Sequence, residues 1–196
     1  AEFGDPECRL AGGTAWLFTR DELDGAFDYL FVDEAGQVSL ADALALSACA
    51  NNVVFVGDPL QLAQVSQGGH PLHAGDSVLQ HLLGEEHTVP AHRGIFLDVS
   101  YRMHPGICAF ISDAIYDGRL RADAQTSLHR VTSDGLSGYG LRFLPVAHDD
   151  NDRSSEEEAA RIVAAVQHLL RGRVVDDARG ERPLLADDLL IVSPHP

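Results

Sequence analysis

Three short strings carry residue types suited to phosphate and metal chemistry. Asp33-Glu34-Ala35-Gly36-Gln37 follows the apolar run Tyr29-Leu30-Phe31-Val32 directly. An aspartate at the carboxyl end of a buried strand can hold Mg²⁺, because that hard cation takes carboxylate oxygens and keeps several waters. A neighbouring glutamate can orient and deprotonate an attacking water. The same pair can also simply end a strand in a solvated loop. Gly57-Asp58-Pro59-Leu60-Gln61-Leu62 follows a second apolar run, Val53-Val54-Phe55-Val56. Gly57 permits close backbone approach and Pro59 stiffens the turn. Gln61 can hydrogen-bond a phosphate oxygen or a water, or be an ordinary exposed amide. In Ser100-Tyr101-Arg102-Met103-His104-Pro105, Arg102 offers a planar, permanently charged fork for phosphate oxygens, and Tyr101 a flat face for a base. A surface ion pair and a core tyrosine are the alternatives there.

The elements needed to position these strings read as α/β. The two apolar runs have the length and β-branched content of parallel strands buried on both faces. Between them, Ser39 to Ala50 reads as a helix, with Ser39 as cap, Asp42 three residues on, and an apolar stripe of Leu40, Ala43, Leu44 and Leu46. Strand, helix, strand makes one βαβ unit. Asp76 to Leu83 is a further short helix. The polar stretch 84–94 divides the chain into segments 1–93 and 94–196. In the second segment, strands are expected at Ile95–Val99, Leu141–Val146 and Leu189–Val192. A helix begins at Pro105, with Ile107, Phe110, Ile111 and Ile115 at helical spacing. Another opens on a Ser154–Glu157 capping box and buries Ile162, Val163, Val166, Leu169 and Leu170. Residues 121–140 and 171–188 read as irregular, and 148–153 as a solvated turn.

Composition narrows the chemistry. Of 196 residues, 30 are acidic and 14 basic, a net charge of −16. All the basic residues are arginine, so every site built on lysine is excluded, the phosphate-binding GxxxxGK[ST] loop among them. A broad basic groove for nucleic acid is not expected from this chain alone. Cys8, Cys49 and Cys108 are odd in number and far apart, and the ten histidines lack ligand spacing. No apolar run is long enough to span a bilayer, so a cytoplasmic protein is expected. Ala1–Gly4 carries no weight in this reading.

Taken together and in this order, DEAGQ, GDPLQL and YRMHP resemble the helicases of superfamily 1. The branch is the one that contains the nonsense-mediated-decay helicase and the replication helicase–nuclease. FISDAIYDGRL (110–120) and Gly13-Thr14-Ala15 extend the resemblance to about residues 11–194. It implies two partial RecA-like domains of P-loop NTPase type with parallel sheets. Residues 1–93 would be the later part of the first, and 94–196 the earlier part of the second. It also implies ATP and Mg²⁺ as cofactors. By the same resemblance Asp33 would hold the Mg²⁺, and Glu34 would be the catalytic base. Gln61 would sense the γ-phosphate, with Asp58 shaping its loop. Arg102 would reach that phosphate from the second domain, Tyr101 would stack near adenine, and Thr14 would touch the nucleic-acid backbone. The implied activity is ATP-driven movement along a single strand, DNA ahead of RNA, from 5′ to 3′.

There are departures from the family. Ala63-Gln64 replace a Pro-Pro pair after the sensor loop, and Ser193-Pro194-His195-Pro196 stands where the family reads TPYNAQ. The P-loop, the adenine-reading glutamine and the late motifs have no counterpart. An internal fragment, inactive alone and prone to oligomerise through an exposed sheet edge, is therefore expected. Two other readings stay open: a non-catalytic scaffold, and a Mg²⁺-dependent phosphohydrolase using Asp33, Glu34 and Asp58.

Overall fold

In the computed structural model, residues 9–61, 71, 74–149, 151, 154–176 and 179–193 are described. Cys8, Leu62 of the sensor string, the Ala63-Gln64 departure, Pro194–Pro196 and part of the expected 148–153 turn lie outside them. The chain divides into two compact units, Ala1–Ile95 and Phe96–Pro196.

The first unit is built on two parallel strands, β1 (Phe27–Val32) and β2 (Ala50–Phe55), in register from Phe27 opposite Ala50 to Val32 opposite Phe55. The crossover between them is α2 (Leu40–Ser47), which follows the short α1 (Ala15–Phe18). The Ser39 hydroxyl accepts the Asp42 amide at 3.1 Å, so the predicted cap forms. Leu30 and Val32 face a core completed by Phe18, Ala43, Leu46, Cys49 and Val78. Burying one leucine there contributes about 2–3 kcal/mol. α3 (Val78–Leu83) closes the unit.

Two expectations fail in this unit. The strands are not buried on both faces: Tyr29 and Phe31 are 61% and 69% exposed, and Val54 and Val56 join them on the open face. Leu44 of α2 also points to solvent, so only Ala43 and Leu46 make the fully buried stripe. Both follow from the core lying against one face of a two-stranded sheet.

The second unit holds a short parallel pair, β3 (Val99–Ser100) with β4 (Arg121–Ala122). α4 (Pro105–Ile115) and α5 (Glu156–Leu169) are its helices. Its largest sheet is antiparallel, in the order β5 (Arg130–Thr132), β6 (Arg173–Asp176), β7 (Gly180–Pro183). That sheet takes up residues 130–132, 173–176 and 180–183 of the stretches 121–140 and 171–188, expected to be irregular. Conversely, Leu141–Val146 and Leu189–Val192 form no strand, and of Ile95–Val99 only Val99 enters one. A strand exists through the partner that takes its backbone hydrogen bonds: β4 supplies one only at Asp98 and Val99, and Leu141–Val146 and Leu189–Val192 pair with no strand among the described residues.

Helix α5 is capped one residue later than expected: Ser155 accepts the Glu158 amide at 3.2 Å. Hydrogen bonds from the backbone, Asn151 and Ser155 hold the Glu157 carboxyl below its ordinary range. None of its residues is fully buried, and Ile162, Val163 and Leu170 are exposed. In α4 the buried positions are Cys108 and Ser112, while Phe110 is exposed. Burial raises the thiol pKa of both Cys49 and Cys108, which suits packing rather than reactivity. Among the described residues no helix is long and apolar enough to cross a membrane.

Candidate functional site

Parallel pairing of β1 and β2 carries the ends of both strands to the same edge. The ladder continues past the last strand residues. The Val56 amide donates to the Val32 carbonyl at 2.8 Å, and the Ala35 amide to the Val56 carbonyl at 2.9 Å. The 33–37 and 57–61 loops are thereby laid against one another. A Cβ on Gly57 would stand 2.8 Å from the Ala35 nitrogen and 3.0 Å from the Gly36 nitrogen. A Cβ on Gly36 would run into the Asp58 carbonyl oxygen. The close approach expected at Gly57 is thus physically required.

Within the first loop, Glu34 adopts φ 53°, ψ 37°, a left-handed conformation unusual for a residue with a side chain. Its amide donates to Asp33 Oδ1 at 2.9 Å, and its carbonyl accepts the Gln37 amide at 2.8 Å. Residues Ala35–Gln37 follow as a 3₁₀ turn. Strain of this kind persists only where the surroundings over-determine it, and here Ala35 is fully buried beneath. The Asp33 and Glu34 side chains face solvent. Asp33 Oδ2 and the Glu34 carboxylate have no partner among the described residues.

In the second loop, Asp58 Oδ1 accepts the Leu60 amide at 3.0 Å, which folds the turn. The Gln61 amide donates to the Asp58 carbonyl at 3.4 Å, and its carboxamide is exposed without a partner among the described residues. The structure therefore gathers Asp33, Glu34, Asp58 and Gln61 on two abutting loops. Thr14 stands elsewhere in the unit, as the N-cap residue of α1, with an exposed hydroxyl that caps nothing.

Sequence reasoning missed what braces these loops. Ser77, buried, donates its hydroxyl to the Ala35 carbonyl at 3.4 Å, and Leu79 Cδ1 lies where a Gly57 Cβ would touch it at 3.2 Å. The Leu40 amide meets the Asp76 carbonyl, and the Val78 amide the Val38 carbonyl, both at 2.9 Å. Alternation or periodicity gives no hint of such contacts, since they are irregular and non-local.

Tyr101 and Arg102 belong to the second unit, in the turn between β3 and α4, and both are exposed. Ser100 Oγ accepts the Met103 amide at 3.3 Å, which tightens the turn. His104 caps α4 by accepting the Gly106 amide on Nδ1 at 3.0 Å. The Arg102 guanidinium has no hydrogen bond or ion pair among the described residues.

The AAA domain family matches residues 74–195, and a second AAA domain family matches residues 7–88. The chain belongs to the superfamily 1 helicase family. Within that family it is similar to the probable helicase senataxin of Homo sapiens, at 36% identity over 55% of this chain and 4% of the relative. It is 34% identical to the ATP-dependent helicase NAM7 of Saccharomyces cerevisiae, over 63% of this chain and 12% of the relative. It is 30% identical to the DNA replication ATP-dependent helicase/nuclease DNA2 of Gallus gallus, over 65% of this chain and 12% of the relative. The chain thus spans a small part of these superfamily 1 relatives. No solved structure matches it.

Proposed function

We propose that this chain is part of an ATP-driven helicase motor, contributing the later part of one RecA-like domain and the earlier part of the next. The observation that carries this reading is the abutment of the 33–37 and 57–61 loops at the carboxyl ends of parallel strands, where open α/β sheets take ligands.

The donor set fits Mg²⁺. Asp33 keeps one carboxylate oxygen free, and no cluster of three or more His, Cys, Asp or Glu converges among the described residues. A single carboxylate supplemented by phosphates and water is the usual arrangement for this ion. When bound, Mg²⁺ would neutralise charge on the phosphate oxygens. Glu34 takes the proton of the attacking water on its free carboxylate. Gln61 holds that water or the γ-phosphate by its carboxamide, and Asp58 sets the shape of the loop that carries it. Arg102 supplies fixed positive charge for the terminal phosphate, and Tyr101 a stacking face for adenine. Thr14 touches the strand backbone. The track is a single strand, DNA ahead of RNA, travelled from 5′ to 3′ in the cytoplasm. Among the described residues β1 and β2 pair only with each other, and this unpaired edge, flanked by exposed Tyr29 and Phe31, supports self-association.

Titration with a fluorescent ATP analogue tests the assignment. Weak Mg²⁺-dependent binding that drops about ten-fold or more in Asp33→Asn is expected, since a lost charged contact costs about 1.5–3 kcal/mol. Equal binding by both proteins would refute it. The alternative is a non-catalytic scaffold that retains the motifs as structural residues. A scaffold would bind no nucleotide.

A further inference from the structure

Within the second unit a cavity of about 620 Å³ opens between the start of α4, β5, the 136–144 segment, α5 and β6. Pockets of roughly 300–1,000 Å³ with an apolar lining and a few polar groups are the usual form of a ligand site. Ile107, Val131, Leu144, Leu169 and Val174 give this one an apolar floor. On its wall His104 and Tyr139 stack face to face, with centroids 4.1 Å apart and planes 25° from parallel. The imidazole is fixed by its role as helix cap. The tyrosine is fixed from behind: Arg142 donates to the Tyr139 carbonyl at 2.8 Å and the Ser137 carbonyl at 3.3 Å. Tyr139 is still 59% exposed, so one face of its ring is open.

Charge in the cavity runs against that of the chain. Arg102, Arg130 and Arg142 line it, and the Arg102 and Arg130 guanidinium groups have no partner among the described residues. Its one carboxylate, Asp176, is paired with Arg182 at 3.4 Å. A ligand that satisfies all of this has a flat ring for Tyr139, tolerates an apolar floor, and carries a localised negative charge. That is the chemistry of a nucleotide unit. Two sources exist, a free nucleotide and one unit of a single strand. The strand fits better: Arg142 is engaged by the Ser137, Tyr139 and Leu141 carbonyls, and Arg102 is assigned above to the ATP phosphate. That leaves Arg130 to match the one charge that each unit of a strand presents, whereas a triphosphate carries several. The acidic surface also opposes a groove that tracks phosphates, and makes base insertion the workable contact.

We propose that this cavity seats one nucleotide of the single strand, with its base on Tyr139 and its phosphate on Arg130. The proposal rests on the helicase reading above. Fluorescence anisotropy of the whole chain at low salt, with a labelled dT twelve-mer, is the test. A twelve-mer of abasic sugar-phosphate is the companion probe. Tyr139→Ala should weaken dT binding about ten-fold, in line with roughly 1–3 kcal/mol for a base–aromatic stack, while Tyr139→Phe restores it. Arg130→Gln should weaken both probes. The abasic probe should bind wild type and Tyr139→Ala equally. Unchanged dT binding by Tyr139→Ala overturns the cavity assignment alone. No dT binding by any protein overturns the strand-binding reading together with it. Thymidine monophosphate bound with the same Tyr139 dependence as the dT probe would overturn the choice of the strand as source.

Discussion

Replacing Gly57 by alanine tests whether the two loops are held together by backbone contact. The added Cβ would lie 2.8 Å from the Ala35 nitrogen, 3.0 Å from the Gly36 nitrogen and 3.2 Å from Leu79 Cδ1. The leucine can rotate away, but the two nitrogens are backbone and cannot. Relief requires the loops to part, which weakens the 2.9 Å bond from the Ala35 amide to the Val56 carbonyl. Overpacking costs about 1–3 kcal/mol, and a lost backbone hydrogen bond about 0.5–1.5 kcal/mol. A destabilisation of about 2–4 kcal/mol follows, a large share of the roughly 5–15 kcal/mol that holds a domain folded. Urea unfolding followed by far-ultraviolet circular dichroism reads it directly. Gly12→Ala is the control, because a Cβ there meets nothing within 4 Å. If Gly57→Ala unfolds at the same urea concentration as Gly12→Ala, the loops are not in the contact described, and the argument for a shared site loses its footing.

The other predictions concern single interactions. Ser155→Ala removes the cap of α5 and should cost about 1 kcal/mol, seen as lower helicity and an earlier urea midpoint. Ser112→Ala leaves the Leu120 amide without the hydroxyl it now bonds at 3.0 Å, so about 1–3 kcal/mol should be lost in the same assay. Arg182 and the Leu185 amide hold Asp188 down at about 2, against 3.8 ordinarily. A lowered carboxyl pKa stabilises the fold above pH 3.8, and that contribution disappears as pH falls toward 2. Asp188→Asn should flatten this part of the pH–stability curve, and an unchanged curve would show that the pair contributes nothing. Finally, purified protein should not turn over ATP at helicase-like rates, since the chain has no lysine to hold β- and γ-phosphates. Rapid turnover abolished by Glu34→Gln would contradict this.

Local signals were read correctly where the structure itself is local. The Ser39 cap, the crossover helix and its two flanking parallel strands follow from spacing over a few residues, and all are present. The two abutting loops were legible for the same reason: a strand that ends in acidic or glycine-containing residues delivers them to one edge. Partner-dependent structure was not legible. Leu189–Val192 has the composition of a strand but stays unpaired among the described residues, whereas Arg173–Asp176 and Gly180–Pro183 pair despite their charges. Arg173 bonds Glu181 at 2.9 Å across that pair, and Arg182 reaches Asp176 at 3.4 Å. Cross-strand ion pairs supply there what apolar alternation supplies elsewhere, and alternation alone cannot detect them.

The same distinction explains the surfaces left open. Tyr29, Phe31, Val54 and Val56 on one sheet face, and Ile162 and Val163 on α5, are apolar at the period of their elements yet exposed. Sequence period records which face an element is built to bury, and the fold records what there is to bury it against. In the first unit the covered face of the sheet carries Leu30 and Val32, and the strand ends above it carry the loops with Asp33 and Gln61. Those loops therefore owe their positions to backbone ladders, Gly36, Gly57 and the Ser77 hydroxyl, all within the unit. Their geometry depends on contacts that are already made, and not on the open face.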